Sequence, residues 1–278
     1  MSAETRSTFD QLSDPAVPRI PLVVHVPHCA TAIPPRYRNE LVIDGDELAR
    51  ELLLMTDHYT DELAMSAVAM GGVVFRNRVS RLVMDPERCA DDGDEEMAER
   101  GMGAVYLSRH DLSRLRAPGY SPEQRARVMA ELYEPYHRAL EDLVSRNLAD
   151  FDTCFIVDCH SFPSVALPYE DPQKPRPGLC IGVDEPHVDE EVVRGWQAAA
   201  ERAGVSTGIN TPFPGSFVPA RYFGTDRRVW SMMIEVRRDL YMDEATGERG
   251  ARFENARRIV GELLGVVVAR IGNLGGLD

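Results

Sequence analysis

Short apolar runs alternate with longer amphipathic stretches along the chain, and this pattern predicts alternating strands and helices. The first run, Ile20–Val26, is almost entirely apolar and predicts a buried strand. A helical period follows it, with Asp44 or Asp46 as the candidate N-cap. We expect that helix to continue to about Ala69, because a glycine pair follows there and should end it.

Polar segments and prolines set the other predicted boundaries. The segment over residues 89–120 is polar and rich in glycine, so we expect a loop and a short helix near a site. A helix is predicted over about residues 121–148, since serine at its start is a good N-cap, and Pro135 should kink or break it. The remaining runs predict strands at Val73–Phe75, Leu82–Met84, Leu179–Val183 and Trp230–Val236, and helices at Val188–Ala203 and about Gly250–Ile271.

The apolar run Phe155–Val157 differs from the others because Asp158, His160 and Ser161 follow it closely. In parallel α/β sheets, ligands bind in the crevice outside the carboxyl ends of the strands. Asp158 and His160 are two residues apart, so in extended chain they project to the same side, and Cys159 points away. This segment therefore offers a carboxylate and an imidazole to one site.

The fold class follows from this alternation of strands and helices. It predicts one α/β domain with a mixed, mostly parallel sheet flanked by helices. The domain is expected to cover residues 1–278, with a polar N-terminal arm over residues 1–19. The chain contains no internal repeat and no low-complexity linker.

Amino-acid composition limits which binding partners and which cellular compartment are expected. The 278 residues include 31 basic and 45 acidic side chains, and the formal net charge of −14 argues against nucleic acid or an anionic membrane as a partner. Five cysteines without close pairing indicate a reducing compartment. The N-terminus has no signal-peptide pattern, and no apolar run could span a bilayer. We therefore expect a cytoplasmic protein, in which an anionic small substrate needs a local basic pocket.

Three segments offer the residue types that bind metals. They are His28 after the first strand, the Asp57-His58 pair in the predicted helix, and His160. A catalytic zinc typically takes three protein ligands from His and carboxylate side chains and keeps a fourth position for water. Each residue alone is better explained as a hydrogen-bonded loop residue or a solvated acid, so only their meeting in the fold would make a metal site.

Glu235 interrupts the apolar run of its predicted strand, where a carboxylate is either paired with an arginine or serves as a general base. Arg237 and Arg238 follow it directly, so both interpretations stay open. Guanidinium groups suit bidentate recognition of a substrate carboxylate, and pairing with neighbouring acids is the alternative. A second group of such residues consists of Arg78, Arg81 and Arg88.

Other catalytic motifs are absent from the sequence. The glycine pairs match neither a dinucleotide-binding nor a P-loop pattern, and no GxSxG motif indicates a serine hydrolase. Cys29 and Cys159 each neighbour a candidate ligand, so a cysteine nucleophile remains a minor alternative.

Several segments in a fixed order resemble the N-formylglutamate amidohydrolase family. The resemblance covers roughly residues 25–244, and it implies a zinc-carboxypeptidase-like (phosphorylase/hydrolase-like) α/β fold related to metallocarboxypeptidases and aspartoacylase-type deacylases. The joint order of the segments is far more specific than any one of them. The segments are VHVPHCATAIP, LLLMTDHYTDEL, RVSRLVMDPER, FIVDCHSFPS, PFPGSFVP and MMIEVRRDLYMDE.

The resemblance also implies roles for individual residues. His28 and His160 are the implied zinc imidazoles, and Asp57 is the implied carboxylate ligand, with His58 ranked below it. Glu235 takes the place of a carboxypeptidase-like general base. Zinc is the implied cofactor, with another divalent metal as the alternative.

Further residues are expected to support these groups. Asp158 is a candidate for orienting His160 from behind, and a capping role is the alternative. Arg81 and Arg88 are candidates for holding the carboxylates of the substrate, and we include two other arginines of the basic segments, Arg78 and Arg237. Glu87 stands where similar sequences often have asparagine.

The implied reaction is hydrolysis of N-formyl-L-glutamate to formate and L-glutamate, usually in the degradation of histidine. The residues themselves indicate only amide hydrolysis of an acidic N-acyl amino acid. Two alternatives stay open: a deacylase of another N-acyl amino acid, and a dicarboxylate-binding protein without catalysis. The sequence does not indicate an oligomeric state.

Overall fold

A computed structural model describes residues 7–275 and contains a seven-stranded sheet in the order β1-β3-β2-β4-β7-β5-β6. The four central strands β3, β2, β4 and β7 are parallel to one another. Strand β1 is antiparallel to β3, and β5 is antiparallel to β7 and parallel to β6. The strands are β1 (Phe9–Leu12), β2 (Leu22–Val26), β3 (Val73–Asn77), β4 (Cys154–Phe162), β5 (Leu179–Val183), β6 (Thr207–Ile209) and β7 (Val229–Arg237).

Helices cover both faces of this sheet. Helices α3, α4, α7 and α8 pack on the face that contains Val24 and Val157, and α6 packs on the opposite face against Val23 and Ile156. The predicted single-domain α/β class with a mixed, mostly parallel sheet is confirmed. The helices are α1 (Pro35–Arg38), α2 (Gly45–Met55), α3 (Thr60–Ala64), α4 (Ser66–Ala69), α5 (Pro122–Val128), α6 (Glu134–Phe151), α7 (Glu190–Arg202) and α8 (Phe253–Gly275).

The helix predicted to continue to Ala69 is interrupted. Asp44 caps α2 in a capping box with Glu47, as the sequence suggests, but α2 ends at Met55. Thr56 is extended, and the amide of Asp57 donates to the carbonyl of His28 at 3.0 Å. The prediction of one continuous helix is wrong, because a hydrogen bond to the loop after β2 replaces the helical bond at this position.

Other differences concern short elements. Leu82–Met84 is a buried turn held by bonds to the carbonyl of Ser80, so its apolar side chains indicate burial and not a strand. Strand β1 lies inside the segment predicted as a polar arm, and β6 was not expected. The long helix is broken near Pro135 as expected, because a single π-helical segment, Met129–Tyr133, separates α5 from α6.

Short 3-10 helices occupy Glu96–Arg100, inside the polar segment as expected, and Arg238–Leu240. Among residues 7–275, no helix is both long and apolar enough to cross a membrane.

Candidate active site

The carboxyl ends of the parallel strands β2, β4 and β7 meet at a cavity of about 470 Å³. His28 follows β2, His160 lies near the end of β4, and Glu235 is the direct partner of His160 on β7. The break between α2 and α3 adds Asp57 to the same cavity. Four of the residues singled out in the sequence are therefore brought together.

Three side-chain atoms of this group form a nearly regular triangle. The Nδ1 atoms of His28 and His160 are 3.3 Å apart. Asp57 Oδ2 lies 3.1 Å from Nδ1 of His160 and 3.6 Å from Nδ1 of His28. Ligands that bind zinc tetrahedrally at about 2.0–2.1 Å are separated by about 3.3 Å, so these three atoms have the spacing of one face of such a site.

Carboxylates determine which ring nitrogen each histidine presents. Nε2 of His28 lies 2.8 Å from Oδ1 of Asp85, and Nε2 of His160 lies 3.0 Å from Oδ1 of Asp158. A carboxylate at Nε2 holds the ring proton there and leaves the Nδ1 lone pair available to a metal. Asp158 therefore has the position expected for orienting His160, and Asp85 does the same for His28.

Asp57 is held by an arginine from behind. Arg238 donates from Nη2 to Asp57 Oδ1 at 2.9 Å, and its other donors reach Ser161 and the carbonyl of Leu54. Burial alone would raise the pKa of Asp57, but hydrogen bonds from His160 and His28 and the charge of Arg238 outweigh it and keep that pKa well below its usual range. Asp57 therefore faces the site as a carboxylate.

The charges of the site favour cations. Burial opposes protonation of His160, but Glu87 and Asp158 outweigh burial and raise the pKa of its ring well above the usual value. The pKa of His28 is also raised, against burial and the charge of Arg81, by Asp85 and Glu87. A metal ion at the Nδ1 atoms would supply the positive charge that protons otherwise supply.

Glu235 has the environment of a proton acceptor. Its side chain is buried at the cavity wall, and Oε2 has no hydrogen-bond partner within the described part of the chain. Burial raises its pKa to about 8, with Asp57 and Glu87 adding to the effect and His160 opposing it. The sequence left open an ion pair with Arg237 or Arg238, but those arginines pair with Asp239 and Asp57.

The four predicted substrate-binding arginines separate into two pairs. Arg81 and Arg88 line the cavity. Arg81 donates to Asp85 and Tyr106, whereas Nε of Arg88 has no hydrogen-bond partner among residues 7–275. Arg78 and Arg237, the other two expected arginines, do not line this cavity. Arg78 pairs with Asp10 beside strand β1, and Arg237 pairs with Asp239.

Two other sequence alternatives are not favoured by the geometry. His58 lines a different cavity together with Leu53 and Gly247, so it does not join the metal-facing atoms. Cys159 lies on the opposite face of β4 from His160, as the strand alternation predicts, and burial raises the pKa of its thiol to about 12. Its thiolate form is therefore disfavoured as a nucleophile.

Sequence reasoning missed the roles of Asp85, Arg238 and Glu87. Asp85 is one of the acids next to the arginines in the sequence, and nothing local shows that it reaches His28, 57 residues away. Arg238 contacts Asp57 across 181 residues. Glu87 places Oε1 3.1 Å from Nε2 of His160, and only its unusual place in the motif could have indicated it.

Known proteins match this chain over most of its length. The family model for N-formylglutamate amidohydrolase matches residues 20–242, a range that includes His28, Asp57, His160 and Glu235. This chain belongs to the N-formylglutamate amidohydrolase family. The assignment confirms the resemblance inferred from the sequence, and it identifies the chain as a hydrolase that acts on an amide bond.

Two curated relatives and one solved structure match this chain over most of their length. The N-formylglutamate deformylase of Pseudomonas aeruginosa is 27% identical over 256 residues, covering 90% of this chain and 94% of the relative. That of Pseudomonas putida is 26% identical over 230 residues, covering 81% and 83%. The crystal structure of N-formylglutamate amidohydrolase from Ralstonia eutropha JMP134 has a TM-score of 0.84 at 23% identity, covering 96% of this chain and 99% of that one. This last likeness shows that the amidohydrolase family fold extends over nearly the whole chain.

Proposed function

We propose that this enzyme hydrolyses N-formyl-L-glutamate to formate and L-glutamate, with a zinc ion held by His28, Asp57 and His160. The main support for this proposal is the triangle formed by two Nδ1 atoms and one carboxylate oxygen. Each of the three side chains is held on its other side by a charged residue. The names of the Pseudomonas relatives support the substrate.

The donor set fits zinc chemistry. Two imidazoles and one carboxylate are a catalytic zinc ligand set, and such sites keep a position open for water or substrate. The cavity beside these atoms supplies that open side. When bound, zinc lowers the pKa of water and polarises the carbonyl oxygen of the scissile amide.

Glu235 moves the proton in this proposal. Its unpartnered Oε2 accepts a proton from the attacking water and donates it to the amine nitrogen as the C–N bond breaks. Because burial raises its pKa, the Glu235 carboxyl holds the proton well enough to serve as the acid in the second step.

Arg81 and Arg88 bind the carboxylates of the substrate. Arg88 is the better placed, since its guanidinium has unused donors, whereas Arg81 is already oriented by Asp85 and Tyr106. Planar guanidinium groups bind carboxylates through two parallel hydrogen bonds, which fixes the direction of the substrate.

The first test compares substrates on the metal-loaded enzyme. We expect kcat/KM for N-formyl-L-glutamate to exceed that for N-acetyl-L-glutamate and that for N-formyl-L-aspartate, each by about tenfold or more. The reason is that a cavity of fixed size fits one acyl group and one side-chain length best. Formate release, measured enzymatically, gives the rates. A preference for the acetyl compound would support the other deacylase assignment, and no hydrolysis of any of the three would contradict the proposal.

A further inference from the structure

The metal-facing histidines are surrounded by more carboxylates than guanidinium groups. Five carboxylates and three guanidinium groups lie around them, and the raised pKa of Glu235, about 8, leaves that carboxyl mostly protonated at neutral pH. Four ionised carboxylates then face three positive charges when the histidines are neutral, and this excess of negative charge favours a bound cation. The carboxylates are those of Asp57, Asp85, Glu87, Asp158 and Glu235, and the guanidinium groups are those of Arg81, Arg88 and Arg238.

Glu87 is the carboxylate in this set with an oxygen that has no assigned role: Oε1 accepts from Nε2 of His160, but Oε2 is unassigned. Asp57 belongs to the metal-facing triangle, Asp85 and Asp158 orient histidines, and Glu235 is the proposed base. The carboxylate of Glu87 has no arginine or lysine within 4.0 Å in the described part of the chain, and all of its close charged neighbours are histidines.

The position of Glu87 brings one of its oxygens, Oε2, close to a metal-facing nitrogen, whereas Oε1 lies at the proton-bearing nitrogen of His160. Oε2 lies 3.6 Å from Nδ1 of His28, the same distance that separates that nitrogen from the Asp57 oxygen. Oε1 lies 3.1 Å from Nε2 of His160. One ligand atom each from Glu87, His28 and His160 can be chosen within 4.8 Å of one another. Its side chain is 17% exposed, so solvent screens the charge only partly.

The backbone holds Glu87 in this position. Its amide donates to Oδ1 of Asp85 at 3.1 Å, and the same oxygen accepts from Nε2 of His28. One carboxylate of Asp85 therefore fixes both the histidine ring and the start of the turn that carries Glu87. The side chain of Glu87 lies on a turn and not on a strand, which leaves its far end able to adjust when an ion binds.

We infer that Glu87 is a second metal-facing carboxylate of this chain, a ligand in addition to His28, Asp57 and His160, which raises the affinity for the ion while the cavity side stays open for water. The inference rests on the metal centre of the proposed function and adds a residue to it. A second negatively charged ligand strengthens binding of a divalent ion by direct attraction, and even residues that contact ligands from behind change metal affinity by about 10- to 100-fold.

The test measures zinc affinity by competition with a chromophoric chelator, using the full-length protein. We expect Glu87→Gln to weaken zinc binding about tenfold or more. Glu96→Gln is the matched control, because Glu96 lines the same cavity, is exposed, and forms no ion pair with a histidine among residues 7–275, so the change removes the same charge. Its affinity should stay within about twofold of wild type. Equal affinities in wild type and Glu87→Gln would overturn the inference.

Zinc binding by wild type and by His160→Ala shows whether a failure concerns Glu87 or the proposed metal centre itself. Wild type that binds no zinc, or His160→Ala that binds it as tightly as wild type, would overturn the metal centre itself. Tight zinc binding in wild type, its loss in His160→Ala, and no effect of Glu87→Gln would overturn the role of Glu87 alone. If Glu87→Gln does not fold, as judged by circular dichroism, Glu87→Asp gives the answer: the shortened side chain should weaken binding several-fold, and unchanged affinity would contradict the inference.

Discussion

At the residue scale, the histidines of the site are oriented by fixed carboxylates. His25 extends this arrangement into the core, because its Nδ1 lies 2.8 Å from Asp158 and its Nε2 lies 2.6 Å from the hydroxyl of Tyr136. Asp158 also accepts the amide of Phe217 at 3.1 Å. A carboxylate with this many partners has little freedom to rotate. Because Asp158 contacts Nε2 of His160, it also restricts the orientation of that ring.

His137, on the same helix as Tyr136, lowers the stability of the folded state at acidic pH. Its Nε2 is buried without a hydrogen-bond partner in the described chain, and its ring lies 4.0 Å from that of Tyr133, centroid to centroid. Burial, helped by the nearby His25, lowers its pKa to about 4. Below about pH 6.5 the unfolded state therefore binds a proton that the folded state does not, and stability falls as the pH drops from 6.5 toward 4.

Replacing His137 by phenylalanine should remove this part of the acid sensitivity. Between pH 7.5 and pH 5, wild type should lose about 2 kcal/mol of unfolding free energy more than His137→Phe does. Urea unfolding at both pH values measures this difference, and comparison of the two proteins cancels the effect of the other titrating groups. The same loss in both proteins would show that His137 does not contribute.

Some residues of the candidate site could be predicted from the sequence. His28, Asp57, His160 and Glu235 could be named from their places in motifs after predicted strands. The partners that make them a site could not be named, because Asp85 and Arg238 meet them only through the folded sheet. Residue types recur in a sequence, but distances between them are set by strand order.

At the element scale, the break after α2 matters most to the site. An uninterrupted helix would keep the amide of Asp57 bonded within the helix, whereas in the structure that amide contacts the loop after β2. Thr56 is extended and Tyr59 has a φ of +66°, so four residues separate α2 from α3. Apolar spacing did not reveal this break, because buried apolar residues continue on both sides of it, although Met55 of α2 and Leu63 of α3 lie in different core clusters.

Gly71 is a second place where an element boundary depends on one residue. Its φ is +90°, and a Cβ there would lie 2.1 Å from the carbonyl oxygen of Pro18. We expect Gly71→Ala to destabilise the protein by about 3 kcal/mol, since backbone strain and a backbone clash add together.

The matched control is Gly204→Ala. Gly204 has a φ of +71°, but a Cβ there would meet nothing within 4 Å, so only strain of about 1 kcal/mol is expected. Urea midpoints of the two variants give the comparison. Equal effects would show that the contact with Pro18 is unimportant.

At the scale of the whole molecule, the sheet order gathers groups that are far apart in the chain. Placing β2, β4 and β7 side by side brings the ends of three parallel strands to one edge. The alternation of elements predicted this class of fold, but not that β5 and β6 turn antiparallel to the centre, nor that β1 closes the other edge. Short edge strands depend on pairing with a neighbour more than on their own composition.

With a net charge of −14, the protein surface as a whole repels anions, so an anion is expected to bind only where arginines are concentrated. Arg81, Arg88 and Arg238 lie at the cavity floor inside an otherwise acidic protein. In the proposed function, an acidic substrate is therefore attracted only at close range, where the guanidinium groups and the proposed metal ion would act together.

The most direct test of the central claim is Glu235→Gln, assayed for both zinc content and hydrolysis of N-formyl-L-glutamate. We predict about one zinc per chain, as in wild type, and a kcat lower by about 10²- to 10⁴-fold, because the amide cannot accept the proton of the attacking water. Glu201→Gln, an exposed change on α7, should retain wild-type turnover. Zinc retained with near-normal turnover in Glu235→Gln would contradict the account.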